Sequence, residues 1–264
     1  MKNKCVIIGV FALIVIFGAW SAIAAPYSIS DNYIGADEYH YNQHYGDVIG
    51  DPGLFDIQGA NLSLHATILQ IDIYTNFAGL GDDGLFSGYS NGLGIGYGDL
   101  FLSNQWTPYG DSLYVLDDYS NGTIWNYGFA LDNRWGETGG DAVLFSLDSR
   151  DDALLSEDFM TGAIYRNGQE VAVNTESAGV DDIQEGKWEV HAAEGYIRFL
   201  IDINGIDDLL NTDQIALHWA MTCGNDVIEG AGKFPPVPEP ATMLLLGTGL
   251  ICLAGLGRKK FVHC

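Results

Sequence analysis

The chain has 264 residues and is strongly acidic, with 35 Asp and Glu against 11 Lys and Arg and a formal net charge of −24. Five of the 11 basic residues lie in the two hydrophobic ends, so the central part of the chain is more acidic still. Such a surface repels nucleic acid and anionic membrane faces. This excludes a nucleic-acid-binding protein and suits a soluble extracellular protein or one that gathers cations.

The N-terminus has the three parts of a secretory signal peptide. Lys2 and Lys4 form a positive region, an apolar stretch follows, and Ala22 and Ala24 supply the small side chains of a cleavage site. We therefore expect residues 1–24 to direct export through the Sec translocon, with signal peptidase cutting after Ala24. An uncleaved N-terminal anchor is the alternative.

Residues 25–234 have the pattern of one all-β domain. Turn-forming Asn-Gly and Asp-Gly pairs separate short runs that are rich in β-branched and aromatic residues. Helical periodicity is limited to about one turn each at 151–158 and 206–210. We predict an antiparallel β-sandwich of jelly-roll type, with a mostly antiparallel barrel as the alternative. The expected strands are 62–68, 71–75, 98–102, 112–116, 124–131, 142–147, 162–166, 169–173, 187–192, 197–203 and 215–221.

Two local features predict how strands connect. Asn167-Gly168 would close a hairpin between 162–166 and 169–173. The apolar alternation of residues 62–75 slips by one position part of the way along, which indicates a β-bulge or a strand buried on both faces.

The C-terminal region, residues 235–264, combines a stiff proline-rich linker, an apolar span and a basic end. A helix over residues 241–257 would be about 25 Å long, just enough to cross the hydrocarbon core of a bilayer. Arg258, Lys259 and Lys260 would then remain on the cytoplasmic side and stop transfer. The sequence therefore predicts a C-terminal transmembrane helix, either as a plain anchor or as part of a sorting signal.

The order of Pro238-Glu239-Pro240, an apolar span and a basic end resembles the PEP-CTERM sorting signal of Gram-negative bacteria. The resemblance implies that an exosortase, a membrane transpeptidase, recognises Pro-Glu-Pro and processes the chain there. It also implies an inner-membrane intermediate, followed by display at the cell surface or in the extracellular matrix. Most of the body, for example 218–230, is similar to exported β-rich PEP-CTERM proteins without an assigned activity, which brings no catalytic residues.

Aspartates in turn-forming surroundings raise the question of a calcium site. Asp82 and Asp83 lie between glycines, and Asp47 and Asp51 share a short turn-rich segment. Oxygen ligands of this kind suit Ca²⁺, although no EF-hand loop is present. Turn formation is the first explanation for such residues. The cofactor hypothesis is one Ca²⁺ near Asp82 and Asp83, or near Asp47 and Asp51, and no other cofactor is expected.

The body contains no local catalytic pattern, because it has neither a Gly-x-Ser-x-Gly motif nor a phosphate loop. Cys223, its single cysteine, is expected to be a small buried side chain. We expect a noncatalytic surface or matrix protein, associated with exopolysaccharide and biofilm, that binds carbohydrate through exposed aromatics such as Trp106, Trp125, Trp135 and Trp188. The alternative is a secreted polysaccharide hydrolase whose two carboxylates only the fold brings together.

Overall fold

The computed structural model of the protein describes residues 26–36, 46–81, 84, 86–90, 92–111, 113–161, 165–233 and 247. All of these except Gly247 belong to one unit, Ile23–Pro236, while the second unit, Met1–Ala22 with Val237–Cys264, otherwise lies outside the described residues. No helix among the described residues is long and apolar enough to cross a membrane. The predicted membrane helix at 241–257 lies outside them apart from Gly247.

Short strands supply most of the regular structure of the described residues, as the alternation of apolar and polar residues predicts. In chain order the strands are β1 (Tyr27–Ser30), β2 (Ile57–His65), β3 (Ile68–Thr75), β4 (Leu100–Ser103), β5 (Tyr127–Leu131), β6 (Gly139–Leu147), β7 (Ala153–Leu155), β8 (Glu170–Val173), β9 (Val180–His191), β10 (Tyr196–Asp202), β11 (Gln214–Ala220) and β12 (Val227–Lys233). The single-turn helices between them are α1 (Pro52–Phe55), α2 (Ser156–Phe159), α3 (Asp207–Leu210) and the 3₁₀ turns Ser87–Tyr89 and Arg150–Asp152.

Ten of the strands form one antiparallel sheet in the order β1-β2-β3-β10-β9-β6-β5-β4-β11-β12. The sheet curls until its last strand lies against its first, since a Cβ added at Gly230 of β12 would stand 2.6 Å from Ile29 Cγ2 of β1. We call this junction of β1 and β12 the seam of a nearly closed barrel. The predicted all-β antiparallel class is confirmed. The jelly-roll sandwich is not, and the alternative prediction of a barrel describes the sheet better.

Strand alternation fills the barrel with apolar side chains. On β11, Ile215, Leu217 and Trp219 face the interior, where they join a cluster that includes Phe129 of β5 and Phe199 of β10. Burying a side chain of this size contributes about 1.5–3 kcal/mol. The interior cluster is therefore the main source of folding free energy.

A second apolar layer lies on the outer face of β4 and β11. Phe101 and Ala216 point outwards from these strands and pack with Trp125 and Val173. The elements that lie over them are β7, β8 and the loop 104–126, which together we call the cover. β7 and β8 form a separate two-stranded antiparallel sheet. Because of the cover, β4 and β11 are buried on both faces.

The buried carboxylate of Asp99 joins the cover to the barrel. Its Oδ1 accepts a hydrogen bond from the Leu131 amide of β5 at 2.8 Å, and its Oδ2 accepts one from the Val173 amide of β8 at 2.7 Å. Arg134 donates to Oδ2 at 3.1 Å. The Asp99 amide donates to the Val171 carbonyl at 2.9 Å. One residue therefore holds together segments that are distant in sequence.

Neither predicted connection is found among the described residues, for different reasons. β8 pairs with β7, residues 165–166 form no strand, and the rest of the strand expected before Asn167-Gly168, residues 162–164, lies outside the described residues. The alternation of residues 62–75 changes phase because the chain turns at Ala66 and Thr67, where Ala66 has φ 57°, and returns as β3. The slip therefore marks the turn of the β2–β3 hairpin and not a bulge.

We predict that Gly98→Ala lowers the free energy of unfolding by about 1–3 kcal/mol. The added Cβ would stand 1.9 Å from the Ala220 carbonyl oxygen and 3.1 Å from that of Val171. Chemical denaturation followed by tryptophan fluorescence measures the change. Gly88→Ala is the matched control, because nothing lies within 4 Å of a Cβ there, and it should change stability by less than about 0.5 kcal/mol. Equal effects of the two substitutions would contradict the close packing of Gly98 against Ala220 of β11 and Val171 of β8.

Candidate functional site

Several residues with predicted roles lie outside the described residues. They are Ala22 and Ala24 of the cleavage site, Asp82 and Asp83, the motif Pro238-Glu239-Pro240, and Arg258, Lys259 and Lys260. The described part of the chain therefore bears on the other calcium candidates, Asp47 and Asp51, and on the tryptophans.

None of the four tryptophans that the sequence predicts to be exposed is exposed. Trp125 and Trp188 are buried, and Trp106 and Trp135 are half-buried. Trp188 is only 1 % exposed because it falls on the inward-facing side of β9. Trp125 belongs to the cover and packs inwards against His218 of β11. The prediction of an exposed tryptophan platform for carbohydrate is therefore wrong.

A polar pocket of about 360 Å³ opens between the end of β4 and α3. Amide and hydroxyl side chains form most of its lining, and Asp208 of α3 adds a carboxylate. Ile124 is its apolar member and is 53 % exposed. The pocket thus combines many hydrogen-bonding groups with a small apolar surface. The lining comprises Ser103, Asn104, Gln105, Thr107, Gly122, Ile124, Asn126 and Asp208.

Local hydrogen bonds fix the walls of the polar pocket. Ser103 Oγ donates to Asn126 Oδ1 at 2.8 Å and accepts from the Gln105 amide at 3.2 Å. Across the loop, the Thr107 amide donates to Thr123 Oγ1 at 3.1 Å. The side-chain amide of Gln105 has no hydrogen-bond partner within the described part of the chain. It is therefore available to a ligand.

Arg150 holds the loop that forms one wall of the pocket. Its Nη1 donates to the carbonyls of Tyr119, Asn121 and Thr123 at 3.2, 2.6 and 3.0 Å. Its Nη2 donates to the Gly122 carbonyl at 2.7 Å. Because a guanidinium group presents its donors in a planar, fixed arrangement, these four bonds determine the path of the loop.

A separate cluster brings together the carboxylates of Asp31, Asp47 and Asp226, which we call the carboxylate triad. One oxygen from each lies within 4.8 Å of the others. Asp31 follows β1, Asp47 precedes α1, and Asp226 lies between β11 and β12. Asp51 is not a member, because its carboxylate caps α1 by accepting a hydrogen bond from the Gly53 amide at 2.8 Å.

The carboxylate triad has few hydrogen-bond donors. Asp226 accepts from two backbone amides, at 2.6 and 2.9 Å. Neither oxygen of Asp31 has a partner among the described residues, although both are closed off from solvent. Burial and the charge of Asp47 raise the pKa of Asp31 to about 8, and the nearby Tyr33 amide opposes this only in part. Burial and the charge of Asp31 raise the pKa of Asp226 to about 9.

Arg166 places a positive charge beside the triad. It donates to the carbonyls of Asp47, Gly46 and Gly224 at 2.6, 3.2 and 3.1 Å, and so ties together the segments that carry Asp47 and Asp226. Its charge opposes the rise in the pKa of Asp47 that burial causes. When all three carboxyls are ionised, they and the one guanidinium carry two net negative charges. Carboxylate oxygens are the ligands that Ca²⁺ prefers, so these residues fit a divalent cation.

The sequence gives no local signal for most of these positions. Asp47 is a candidate because of its turn-rich surroundings, whereas Asp31 and Asp226 reach it from opposite ends of the body. The members of the polar pocket lie in ordinary polar loop sequence on either side of β4 and β5 and in α3. Only the folded sheet brings them together.

A family model described as the PEP-CTERM protein-sorting motif matches residues 236–259. No curated protein and no solved structure matches the chain. The matched residues include Pro238, Glu239 and Pro240, and they confirm the resemblance seen in the C-terminal region. The chain therefore carries a PEP-CTERM sorting motif and is an exported protein that an exosortase sorts, through a membrane-anchored intermediate, for surface display.

Proposed function

We propose that the body is a noncatalytic carbohydrate-binding module of the cell surface or of an exopolysaccharide-rich extracellular matrix, and that the polar pocket is its binding site. The observation that carries the proposal is the composition of the pocket, in which amide, hydroxyl and carboxylate groups surround an exposed isoleucine. Cleavage by signal peptidase and processing by an exosortase would bring the body to that location.

The chemistry of the lining matches that of a sugar. Sugar hydroxyls both donate and accept hydrogen bonds, and Asn104, Gln105 and Asp208 offer both kinds of partner. The apolar C–H face of a sugar ring can pack on Ile124. The pocket volume of about 360 Å³ lies within the range of small-molecule sites, about 300–1,000 Å³. It suits a short stretch of glycan.

Charge selects among glycans. The net charge of −24 and the carboxylate of Asp208 in the pocket repel polymers of uronic acids. A neutral polysaccharide meets no such barrier, and the amino group of an amino sugar can pair with Asp208. We therefore expect binding to neutral or amino-sugar polysaccharides and not to anionic ones.

We expect the double variant Gln105→Ala/Asp208→Asn to bind such a polysaccharide about tenfold more weakly, because each lost hydrogen bond contributes about 0.5–1.5 kcal/mol. Affinity electrophoresis and titration calorimetry against a polysaccharide panel measure this. Asp182→Asn/Gln184→Ala, on β9 and outside the pocket lining, is the matched control and should bind like the wild type. A wild type that is retained on no member of the panel would refute carbohydrate binding.

A secreted polysaccharide hydrolase is the second candidate, and one observation favours it. A surface pocket of about 410 Å³ is lined by Asp141 of β6 and Glu185 of β9, which are diagonal neighbours across the two strands. Lys187 pairs with Asp141 at 2.6 Å. Two facing carboxylates are the minimum for glycoside hydrolysis. Release of reducing sugar that Glu185→Gln abolishes would replace the binding proposal with this one.

We also propose that the carboxylate triad binds Ca²⁺. The ionised triad carries two net negative charges beside Arg166, and the Asp31 oxygens have no donor among the described residues. A divalent cation would take the place of the protons that the triad otherwise holds. It would also join the end of β1, the segment before α1 and the β11–β12 connection, and so stabilise the seam.

About 10 mM Ca²⁺ should raise the melting temperature of the wild type at pH 8 by several degrees. A site with a Kd of about 0.1–1 mM gains about 1.4–2.7 kcal/mol at that concentration. At pH 5 the shift should disappear, because Asp31 and Asp226, with pKa values of about 8 and about 9, then hold protons. Differential scanning fluorimetry measures both.

Two variants make this test specific. Asp31→Asn should lose the Ca²⁺ response yet, in EDTA at pH 8, melt above the wild type, because it removes a buried charge that Asp47 repels. Asp51→Asn is the matched control, because Asn also caps a helix, and it should keep the response. An unresponsive wild type, or an Asp31→Asn variant that responds normally, would refute the calcium site.

Replacing Pro238-Glu239-Pro240 with alanines should block exosortase processing. Intact mass and fractionation in the native host measure the result. The wild type should lose the C-terminal apolar span, and the variant should keep it and stay in the membrane. A wild type that retains the span would instead be a plain anchored protein.

A further inference from the structure

A second cluster of buried acidic side chains, separate from the carboxylate triad, lies where the cover meets the barrel. Glu229 of β12 and His218 of β11 are cross-strand partners, and their side chains are 3 % and 1 % exposed. Glu170 of β8 and Asp117 of the loop 104–126 approach from the cover, and their charges act on Glu229. We call Asp117, Glu170, His218 and Glu229 the acid cluster.

His218 is neutral and leaves one ring nitrogen unused. Its Nε2 lies 2.8 Å from the Glu170 carbonyl oxygen, which can only accept, so Nε2 carries the hydrogen. Burial lowers the pKa of His218 to about 4. Its Nδ1 lies 3.9 Å from Glu229 Oε1 and has no hydrogen-bond partner among the described residues. A protonated Glu229 is the donor that this nitrogen lacks, after a small approach of the two side chains.

The carboxyls of the acid cluster hold their protons to unusually high pH. Burial raises the pKa of Glu229 well above its ordinary value, that of Glu170 to about 8 and that of Asp117 to about 6. Ionised, three like charges would face one another in a medium of low dielectric, where repulsion is strong.

The groups that face the cluster from other elements do not balance these charges. Arg150 lowers the pKa of Glu170 in part, whereas Asp118 raises it. Tyr33 and Trp106 are uncharged donors and lower the pKa of Glu229 only in part. Ionisation of the cluster therefore leaves a net negative charge between cover and barrel.

The loop 104–126 links the acid cluster to the polar pocket. Asp117 Oδ2 accepts a hydrogen bond from the Tyr109 amide at 2.9 Å. Its Oδ1 fills the space beside Gly122, where an added Cβ would stand only 1.8 Å away. The pocket walls are the two ends of this same loop. Ionisation or movement of the Asp117 side chain therefore acts on the same loop that lines the pocket.

We propose that the acid cluster is a proton-operated latch on the polar pocket. While its carboxyls hold protons, the cover stays on the barrel; when they ionise, the cover is released and the pocket loses a wall. The release of glycan rests on the proposed function, whereas the movement of the cover does not.

Release is favoured as the pH rises. In a released cover the carboxyls return to ordinary pKa values of 3.8 for Asp and 4.5 for Glu, whereas the docked cover keeps Asp117 protonated to about 6 and Glu170 to about 8. The docked state therefore binds more protons between these limits. The free-energy preference for the docked cover is complete below a pH of about 4, and it is lost as the pH passes 6 and then 8.

Hydrogen exchange of the purified protein at pH 6 and pH 9, corrected for intrinsic rates and without glycan, tests the movement. Amides of the cover should lose about tenfold or more protection at pH 9 relative to those of β3 and β10. The double variant Asp117→Asn/Glu170→Gln removes the two carboxyls whose pKa values of about 6 and about 8 define this window, so it should keep the cover protected at both pH values. Equal protection of the wild-type cover at both pH values, or the same loss in Asp117→Asn/Glu170→Gln, would overturn the latch.

Two further variants make the result specific. Asp31→Asn alters the carboxylate triad, which titrates in the same range but lies outside the cover, so the response of the cover should remain. If the double variant does not fold, Glu170→Gln alone tests the same latch, because the pKa of about 8 of this carboxyl lies between the two test pH values. A cover response that Asp31→Asn abolishes would assign the pH dependence to the triad and overturn the inference.

Glycan affinity then tests the coupling. The wild type should bind about tenfold more weakly at pH 9 than at pH 6, and Asp117→Asn/Glu170→Gln should bind equally at both. A protein that binds no glycan at either pH fails the proposed function, while the exchange data still decide the latch. A cover that opens while affinity stays constant would overturn the coupling.

Discussion

The attachment of the cover to the barrel depends on the buried carboxylate of Asp99. β8 belongs to a separate small sheet, and this side chain gives it hydrogen bonds to the barrel through Val173, while the Asp99 amide binds Val171. Losing the carboxylate would leave two amides and the Arg134 guanidinium short of an acceptor, which is far more costly than the loss of one bond. The polar pocket and the acid cluster both require the cover, so both depend on this residue.

Three of the six basic residues of this acidic body organise its main chain. Arg134, Arg150 and Arg166 all donate to main-chain carbonyls, and two of them organise loops at the sites discussed above. An arginine keeps its charge under all ordinary conditions and presents several donors in one plane. It can therefore hold an irregular segment without any neighbouring strand. The surface that remains is strongly negative and repels anionic polymers.

The sequence predicts those features that depend only on contiguous residues. Pro238-Glu239-Pro240 and the segments around it need no folding to be recognised, and the alternation of 215–221 locates β11. The same alternation could not show that β11 is buried on both faces. Ala216 and His218 occupy the positions of a solvent-exposed face, and only the folded structure shows that the cover lies over them. Pairing of β8 with β7 and assembly of the carboxylate triad depend on contacts between distant segments, which no local pattern reports.

The seam has a consequence for the order of events during export. Contacts between Gly230 of β12 and Ile29 of β1 join the two ends of the body, so the barrel cannot be completed until its last strand has crossed the membrane. Such non-local pairing makes folding slow compared with helical domains of the same size. The seam can therefore close no earlier than the membrane-anchored intermediate that precedes sorting.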